Sequence, residues 1–351
     1  MKCSNVKPRD RLDIIINNVN YCSGHCPFCI KNVTNFKAYG IKDDLADSIN
    51  TLDEVISKES KFDFDALGRR IEVLNPKHIM IWGGDPMTSF DAFKQLADFL
   101  FSIGINRINF CTNGLGFILA DRAEYLRKHN IRFTLSHDGL ANSHRCDRYD
   151  PTEFEHFPME LLGRINCVLS NDNPSPIDNY NALKHLNVPI ALSHVKNDAD
   201  GKYLIQGESL DLFIKEMQYM LTHQSEFPLY SDRWIRVDSE DGVRNGCYKF
   251  QNGLSDRPVT IDTLGKDCYC MQYDSTVEVK PMPEKPDYCN NCKFKDRYEC
   301  NQCCYMGYPS DKCLFLYRFL DEVIDWYNEK RYMKSYNVMQ ECKEKLCKLH
   351  R

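Results

Sequence analysis

Two adjacent stretches decide how this chain folds: Leu12-Asp-Ile-Ile-Ile-Asn-Asn-Val19 and, two residues on, Cys22-Ser-Gly-His-Cys26-Pro-Phe-Cys29. The first is a short apolar run that reads as a strand. The second packs three thiols into eight residues directly after it. A strand followed at once by such a loop holds soft ligands on a short, tightly curved backbone. Thiolates of this kind suit iron–sulfur clusters or zinc. Three thiolates on a four-iron cluster leave one iron open to a small molecule. Half of a zinc site, or three unrelated thiols, would give the same letters, so the rest of the chain has to decide.

The bulk properties narrow the choice. At 351 residues the chain can bury a full core and is long enough for about two domains. A hydrophobic fraction of 42% with 27% charged residues describes an ordinary globular protein. The net charge of −5 gives no reason to expect nucleic acid or an anionic membrane as partner. No apolar run approaches the ~18–20 residues of a membrane span, and residues 1–8 lack the apolar stretch of a secretory signal. The expected compartment is the cytoplasm. The anomaly is the 18 cysteines, 11 of them between Cys247 and Cys347. A disulfide scaffold would be short and secreted. In a reducing compartment the same count points to metal.

Along the chain, short apolar runs alternate with helical patterns. After the cysteine loop come helices near 43–58 and 64–74, then the strand His78-Ile-Met-Ile-Trp82 ending in Gly83-Gly84-Asp85-Pro86. A helix over 89–103 carries Phe90, Phe93, Leu96, Ala97 and Leu100 at helical spacing. Strands follow at 106–111, 131–136, 164–170 and 188–194, with helices at 119–129 and 177–185 and a longer one at 207–224. With residues 12–19 that makes six strands. Alternation at this spacing implies parallel strands joined by right-handed crossovers. Every special motif lies at the carboxyl end of a strand, where ligands of such sheets bind. The expected class is α/β, a partial (β/α)6 barrel, with a flat doubly wound sheet as the competing arrangement.

The motifs at those strand ends resemble one family. The spacing Cys22-x3-Cys26-x2-Cys29, with aromatic Phe28 before the last cysteine, is similar to the signature of the radical S-adenosylmethionine (SAM) superfamily. There three thiolates hold a four-iron cluster whose open iron chelates SAM. Gly83-Gly84-Asp85-Pro86 resembles the Gly-Gly-Glu-Pro motif whose backbone holds the SAM amino group, with Asp85 in place of the usual Glu. Glycine suits a site where bare backbone must approach a ligand. Ser136-x-Asp138-Gly139-x4-His144-x3-Arg148 is similar to the segment after the fourth strand of peptide-modifying members, in which the serine and arginine approach the SAM carboxylate. A guanidinium fork matches that planar anion. The residue after the histidine is usually Asp and is Arg145 here. The resemblance makes Phe28, Gly83, Gly84, Asp85, Asn113, Ser136, Asp138, Arg148, Asn166 and Ser170 the expected SAM contacts. For Asn113 an ordinary turn competes, and for Asn166 and Ser170 a buried Asn or a helix cap does.

From Cys247 the pattern changes. Residues 259–265 look like a hairpin, and the order Cys247, Gly265-x4-Cys270, Cys289-x2-Cys292, Cys300-x3-Cys304, Cys313 resembles the SPASM domain of radical SAM peptide maturases. That domain carries two auxiliary four-iron clusters. The interval between Cys292 and Cys300 is longer than is usual in the family. The resemblance assigns Cys247, Cys270 and Cys304 to one cluster, and Cys289, Cys292, Cys300 and Cys313 to the other. Two fully ligated clusters take eight thiolates, so one position is left over, with Cys268, Cys303 or an open iron to fill it. A pair of four-cysteine zinc sites is the alternative for this region alone. The tail from 314 to 351 reads as amphipathic helices, and Cys3, Cys111, Cys146, Cys167, Cys342 and Cys347 as spectator thiols.

The expected organisation is therefore a barrel over 1–240, the auxiliary-cluster domain over 241–315 and carboxyl-terminal helices over 316–351. The resemblance implies SAM and three [4Fe-4S] clusters as cofactors, reductive cleavage of SAM to a 5′-deoxyadenosyl radical, and hydrogen abstraction from a ribosomally made precursor peptide that ends in a cross-link. It also implies an electron donor such as flavodoxin or ferredoxin. With about eleven residues before the first strand, peptide recognition falls to a separate protein or to the carboxyl helices. Conversion of Cys or Ser to formylglycine, as in anaerobic sulfatase maturation, is a second reading, although Met271 follows Cys270 where those enzymes resemble one another in having aspartate. A zinc-stabilised binding module is a third. Anaerobic reconstitution separates them, with about twelve irons per chain expected from three four-iron clusters and none from the zinc module. Cys268→Ala is expected to weaken one auxiliary cluster and Cys303→Ala not to, because residues two apart on an extended strand share a face. Full iron content in Cys268→Ala would mean an open site.

Overall fold

A computed structural model describes residues 11–16, 22–29, 44–195, 201–231, 259–268, 287, 290–293 and 317–330. Seven parallel strands form one sheet in the order β6-β5-β4-β3-β2-β1-β7. They are β1 (Leu12–Ile15), β2 (Ile79–Trp82), β3 (Ile108–Thr112), β4 (Arg132–Ser136), β5 (Leu162–Leu169), β6 (Ile190–His194) and β7 (Val259–Asp262). The helices between them are α1 (Leu45–Glu59), α2 (Phe64–Leu74), α3 (Phe90–Ser102), α4 (Ala120–His129), the short α5 (Ser143–Cys146), α6 (Pro176–Leu183) and α7 (Gly207–Thr222). Residues 317–330 form a further helix, α8, with a π-helical stretch at Leu320–Asp325.

The strand order separates the two arrangements left open by the alternation of elements. From β1 to β6 each strand lies beside the next in sequence, with no reversal. Right-handed crossovers in an unreversed order all lie on one face of the sheet, whereas a doubly wound sheet reverses and is covered on both. The sheet is thus the open, barrel-type arrangement. Its two faces differ accordingly. Leu12, Ile14, Ile79, Ile81, Ile108, Phe110, Phe133, Leu135, Ile165, Ile190 and Leu192 alternate along the strands and join one core with the helices. The intervening residues include Trp82, Asn109, Cys111, Thr134, Ser136, Arg164, Asn166 and Ser193, all half-buried. A parallel sheet covered on both faces would be apolar on both; this one carries polar side chains along much of its second face.

The sheet also has one strand more than the six expected. Residues 259–262 do form one arm of a hairpin, with Asp262 N donating to Lys266 O at 2.9 Å and Cys268 N to Thr260 O at 2.9 Å. The same arm pairs along β1, Leu12 opposite Val259 and Ile15 opposite Asp262. A four-residue apolar run beside a turn does not reveal which distant strand it will join, and that long-range choice is what the sequence pattern missed.

The hairpin turn is fastened to the helical layer. Asp63 N donates to Thr263 O, Thr263 Oγ1 donates to Lys61 O at 2.6 Å, and Arg70 pairs with Asp267 at 2.7 Å. The α8 helix buries Phe319, Val323 and Tyr327 in the main core and receives Gln218 Nε2 of α7 on Glu322 O. Among the described residues no helix is long and apolar enough to cross a membrane.

Gly265 makes the turn possible: its φ is +71°, and a Cβ there would stand 2.8 Å from the Ala66 carbonyl carbon. Gly265→Ala is expected to lose about 1–3 kcal/mol through backbone strain, measured as a lowered denaturant midpoint with an unchanged slope.

Candidate metal and cofactor site

The cysteine loop leaves the carboxyl end of β1 and is held by the three strand ends beside it. After β2, Thr88 accepts from Ser23 N at 3.2 Å and its hydroxyl bonds Ser23 Oγ at 2.7 Å. After β3, Asn113 Nδ2 donates to Ser23 Oγ at 3.1 Å and reaches Cys22 Sγ at 3.4 Å. After β4, the carbonyl of Arg145 accepts from His25 N at 3.1 Å. Inside the loop Gly24 N points at Cys22 Sγ, 3.3 Å away, and Cys29 N donates to Cys26 O. The backbone packs closely at Gly24, where a Cβ would lie 3.0 Å from Asn113 Nδ2 and 3.2 Å from Arg145 O.

Asp85 is the clamp behind this bracing. It is wholly buried and accepts from Met87 N at 2.9 Å, Thr112 Oγ1 at 2.8 Å and Asn113 N at 2.9 Å. Burial pushes its carboxyl up, and these donors pull it back. The carboxylate thereby fixes the end of β2 to the end of β3 and aims Asn113 at the thiol loop. A shorter arm than Glu suits that inward task. Of the preceding glycines, Gly83 is buried and Gly84 half-buried. Arg122, also buried, donates to Met87 O and pairs with Asp53 at 3.1 Å beneath the same turn.

The segment after β4 is built around a second buried acid. Asp138 accepts from Arg145 through Nη2 at 2.8 Å and Nε at 3.1 Å, and from Val168 N at 3.0 Å. Arg145 is the residue whose presence the motif left unexplained. The available signal was the departure itself, a positive charge seven residues after Asp138 where the motif has an acid. Arg148, expected at the SAM carboxylate, is exposed, with its guanidinium 5.2 Å over the Tyr149 ring and 3.1 Å from the Tyr149 hydroxyl.

The other expected contacts divide. Ser136 and Asn166 are register partners on β4 and β5, side by side on the polar face at the ligand end of the sheet. Ser170 Oγ instead donates to Asp172 at 2.6 Å, and Asp172 pairs with His144 Nε2 at 3.1 Å. Phe28 is buried with Val195 and Leu204, its ring edge-on to Tyr203 at 5.7 Å and to His144 at 6.3 Å. In this structure its visible role is to anchor the loop.

The donor set fits a cationic group. Burial pushes the Cys22 thiol well above its usual range, and Asp85 and the other two thiols add to the effect. Cys26 is pushed up to about 11 by burial, against the pull of Arg145. Thiolates so placed need positive charge beside them, which a bound metal supplies. Among the described residues no three His, Cys, Asp or Glu side chains close on a single ion's position. In a cubane the thiolates bind different irons of a larger body. Of the auxiliary ligands, Cys268 is buried on the returning arm of the hairpin, its thiol 3.8 Å from Lys266 O, and Cys292 packs half-buried against the main core. Cys247, Cys270, Cys289, Cys300, Cys304 and Cys313 lie outside the described residues, as does Cys303.

No protein-family model matches the chain, and no curated protein matches it. Among solved structures it resembles Streptococcus suis SuiB bound to the precursor peptide SuiA, at 15% identity over 75% of this chain and 60% of that one, with a TM-score of 0.46. SuiB bound to S-adenosylmethionine aligns at 18% identity over 73% of this chain and 57% of that one, TM-score 0.43. A radical SAM methyltransferase from Sphaerobacter thermophilus aligns at 15% over 60% and 63%, TM-score 0.38. The matches thus span about 57–63% of those proteins' lengths. At these scores the likenesses carry no weight of their own beside the residues of the site.

Thr88→Val keeps the shape of the side chain and removes the hydroxyl that serves Ser23. Leaving Ser23 N unpaired is expected to cost about 1–3 kcal/mol, read by denaturant unfolding, together with faster loss of bound iron from the loop.

Proposed function

We propose that this chain is a radical SAM enzyme that modifies a ribosomally made precursor peptide. The observation that carries the reading is the braced loop of Cys22, Cys26 and Cys29 at the carboxyl end of a sheet with one polar face. Three thiols held there by three neighbouring strand ends suit a site-differentiated four-iron cluster. The motif residues of the same family stand at the neighbouring strand ends. When bound, the cluster and SAM supply a 5′-deoxyadenosyl radical that takes a hydrogen atom from an unactivated carbon.

The chain's own residues do the rest. The backbone at Gly83 and Gly84 offers the SAM amino group a partner, and Ser136 and Asn166 offer polar side chains beside it on the same face. Arg148 supplies a guanidinium for the SAM carboxylate once it leaves Tyr149. Asp85 and Asp138 work one step back, orienting Asn113 and Arg145. A primary radical attacks whatever is near, so the polar face must hold one C–H bond in place and keep water out. In the carboxyl part, Cys247, Cys268, Cys270 and Cys304 form one auxiliary set, and Cys289, Cys292, Cys300 and Cys313 the other. These cysteines would hold two auxiliary clusters, which would supply an electron acceptor or a ligand for the substrate on the way to a cross-linked peptide. A flavodoxin or ferredoxin serves as reductant, and a separate protein or the carboxyl helices present the precursor.

Changing Cys22, Cys26 and Cys29 together to Ala is expected to remove one cluster's iron and all SAM cleavage under dithionite. Persistent 5′-deoxyadenosine production in that variant would overturn the assignment. Arg148→Ala is expected to weaken SAM binding by ~1.5–3 kcal/mol, the range for a hydrogen bond to a charged group, with iron content unchanged, as measured by calorimetric titration.

A further inference from the structure

Arg145 stands where the related motif has an acid, and its surroundings give it a task. Its main-chain carbonyl holds the middle of the cysteine loop through His25 N at 3.1 Å, and a Cβ on Gly24 would meet the same carbonyl at 3.2 Å. The residue therefore lies directly against the segment between Cys22 and Cys26. Its side chain is largely buried, 13% exposed, and Asp138, whose side chain is 0% exposed, grips it along the Nε–Nη2 edge. Asp138 is itself fixed by Val168 N, so the charge does not swing away.

Two buried acids share this setting, with Arg122 behind Asp85 beneath the β2 turn. Asp85 and Asp138 are both fully buried beside the loop, and three thiolates would add to them. Arg145 is a cation set against that loop, its carbonyl bonded to His25 N and its side chain buried. In a low-dielectric site a charge at such range shifts the energy of a neighbouring charge by kilocalories. Reducing an iron–sulfur cluster adds one negative charge, and nearby charge is one of the levers on its potential.

We propose that Arg145 is the fixed positive charge that raises the reduction potential of the cluster held by Cys22, Cys26 and Cys29, with Asp138 as the residue that positions it. The proposal rests on the radical SAM reading of the loop. Arg145 touches neither substrate nor the reacting atoms; it acts through the cluster's charge and through the loop's backbone. The backbone part survives substitution, since any residue carries the carbonyl, so the side chain's contribution can be isolated.

The test uses the full chain, reconstituted anaerobically, with the potential of the SAM-perturbed cluster signal followed by electron paramagnetic resonance. Arg145→Gln removes the charge and leaves Asp138 unopposed. It is expected to lower the potential by at least a tenfold change in the one-electron reduction equilibrium, about 59 mV. Arg145→Lys is expected to restore most of the wild-type value. Asp138→Asn is expected to shift the potential the other way, upward, because it removes the opposing charge. A role confined to structure would move R145Q and D138N in the same direction through loosening of the loop. Should R145Q fail to retain iron, D138N and R145K decide: an unchanged or lowered potential in D138N overturns the proposal. A wild-type triad that binds no cluster overturns this inference and the functional reading together, whereas a loaded triad whose potential ignores all three substitutions overturns the inference alone.

Discussion

A single buried carboxylate organises the ligand end of this sheet. Asp85 sits at the end of β2 with its charge satisfied by Met87 N, Thr112 Oγ1 and Asn113 N. Two of those donors belong to the end of β3, so the acid welds neighbouring strand termini that the main-chain ladder no longer joins. An ionised group in such a place is tolerable only when its donors are fixed. Asn113, held in this way, presents its amide to Ser23 and Cys22. The chain of dependence runs from a strand-end acid to a turn amide to a sulfur, and loosening the first link releases the last.

Asp138 repeats the device two strands away, with a guanidinium in place of the hydroxyl and turn amide. Between the two acids lies the cysteine loop, contacted by residues after β2, β3 and β4. This explains why a loop with two glycine-sized or proline positions among its eight residues, Gly24 and Pro27, keeps one shape. Its order is imposed from outside, by partners 65 to 120 residues further along the chain.

Much of this was legible beforehand. The alternation of apolar runs with helical spacing located β2, β4 and α2 within a residue or so, because each is short, strongly patterned and bounded by Gly, Pro or Asn. Asn75 and Asn130, both left-handed, end α2 and α4 as that residue type does. The strand-end motifs stood out for the same reason: they interrupt the pattern. What stayed hidden depends on distance in sequence. The pairing of β7 with β1 joins segments almost 250 residues apart, and nothing local encodes it. The inward roles of Asp85, Ser170 and Phe28 were hidden for a related reason. A residue type tells what it can bond to, and only the packing decides whether that partner is a ligand or the protein itself.

The β1–β7 pairing bears on the order in which this site comes into being. β1 carries the thiol loop at its end, and until residues 259–262 are made it is the outermost strand of the growing sheet. At roughly 5–20 residues per second of synthesis, that interval is on the order of 12–50 s. An outer strand shows unpaired amides and carbonyls to whatever is near. The segment that carries the clustered thiols is thus the one whose flank is sealed last, and the seal comes from the cysteine-rich end of the same chain. Birth of the protein from the ribosome leaves its thiol loop half-finished until that end arrives to close it.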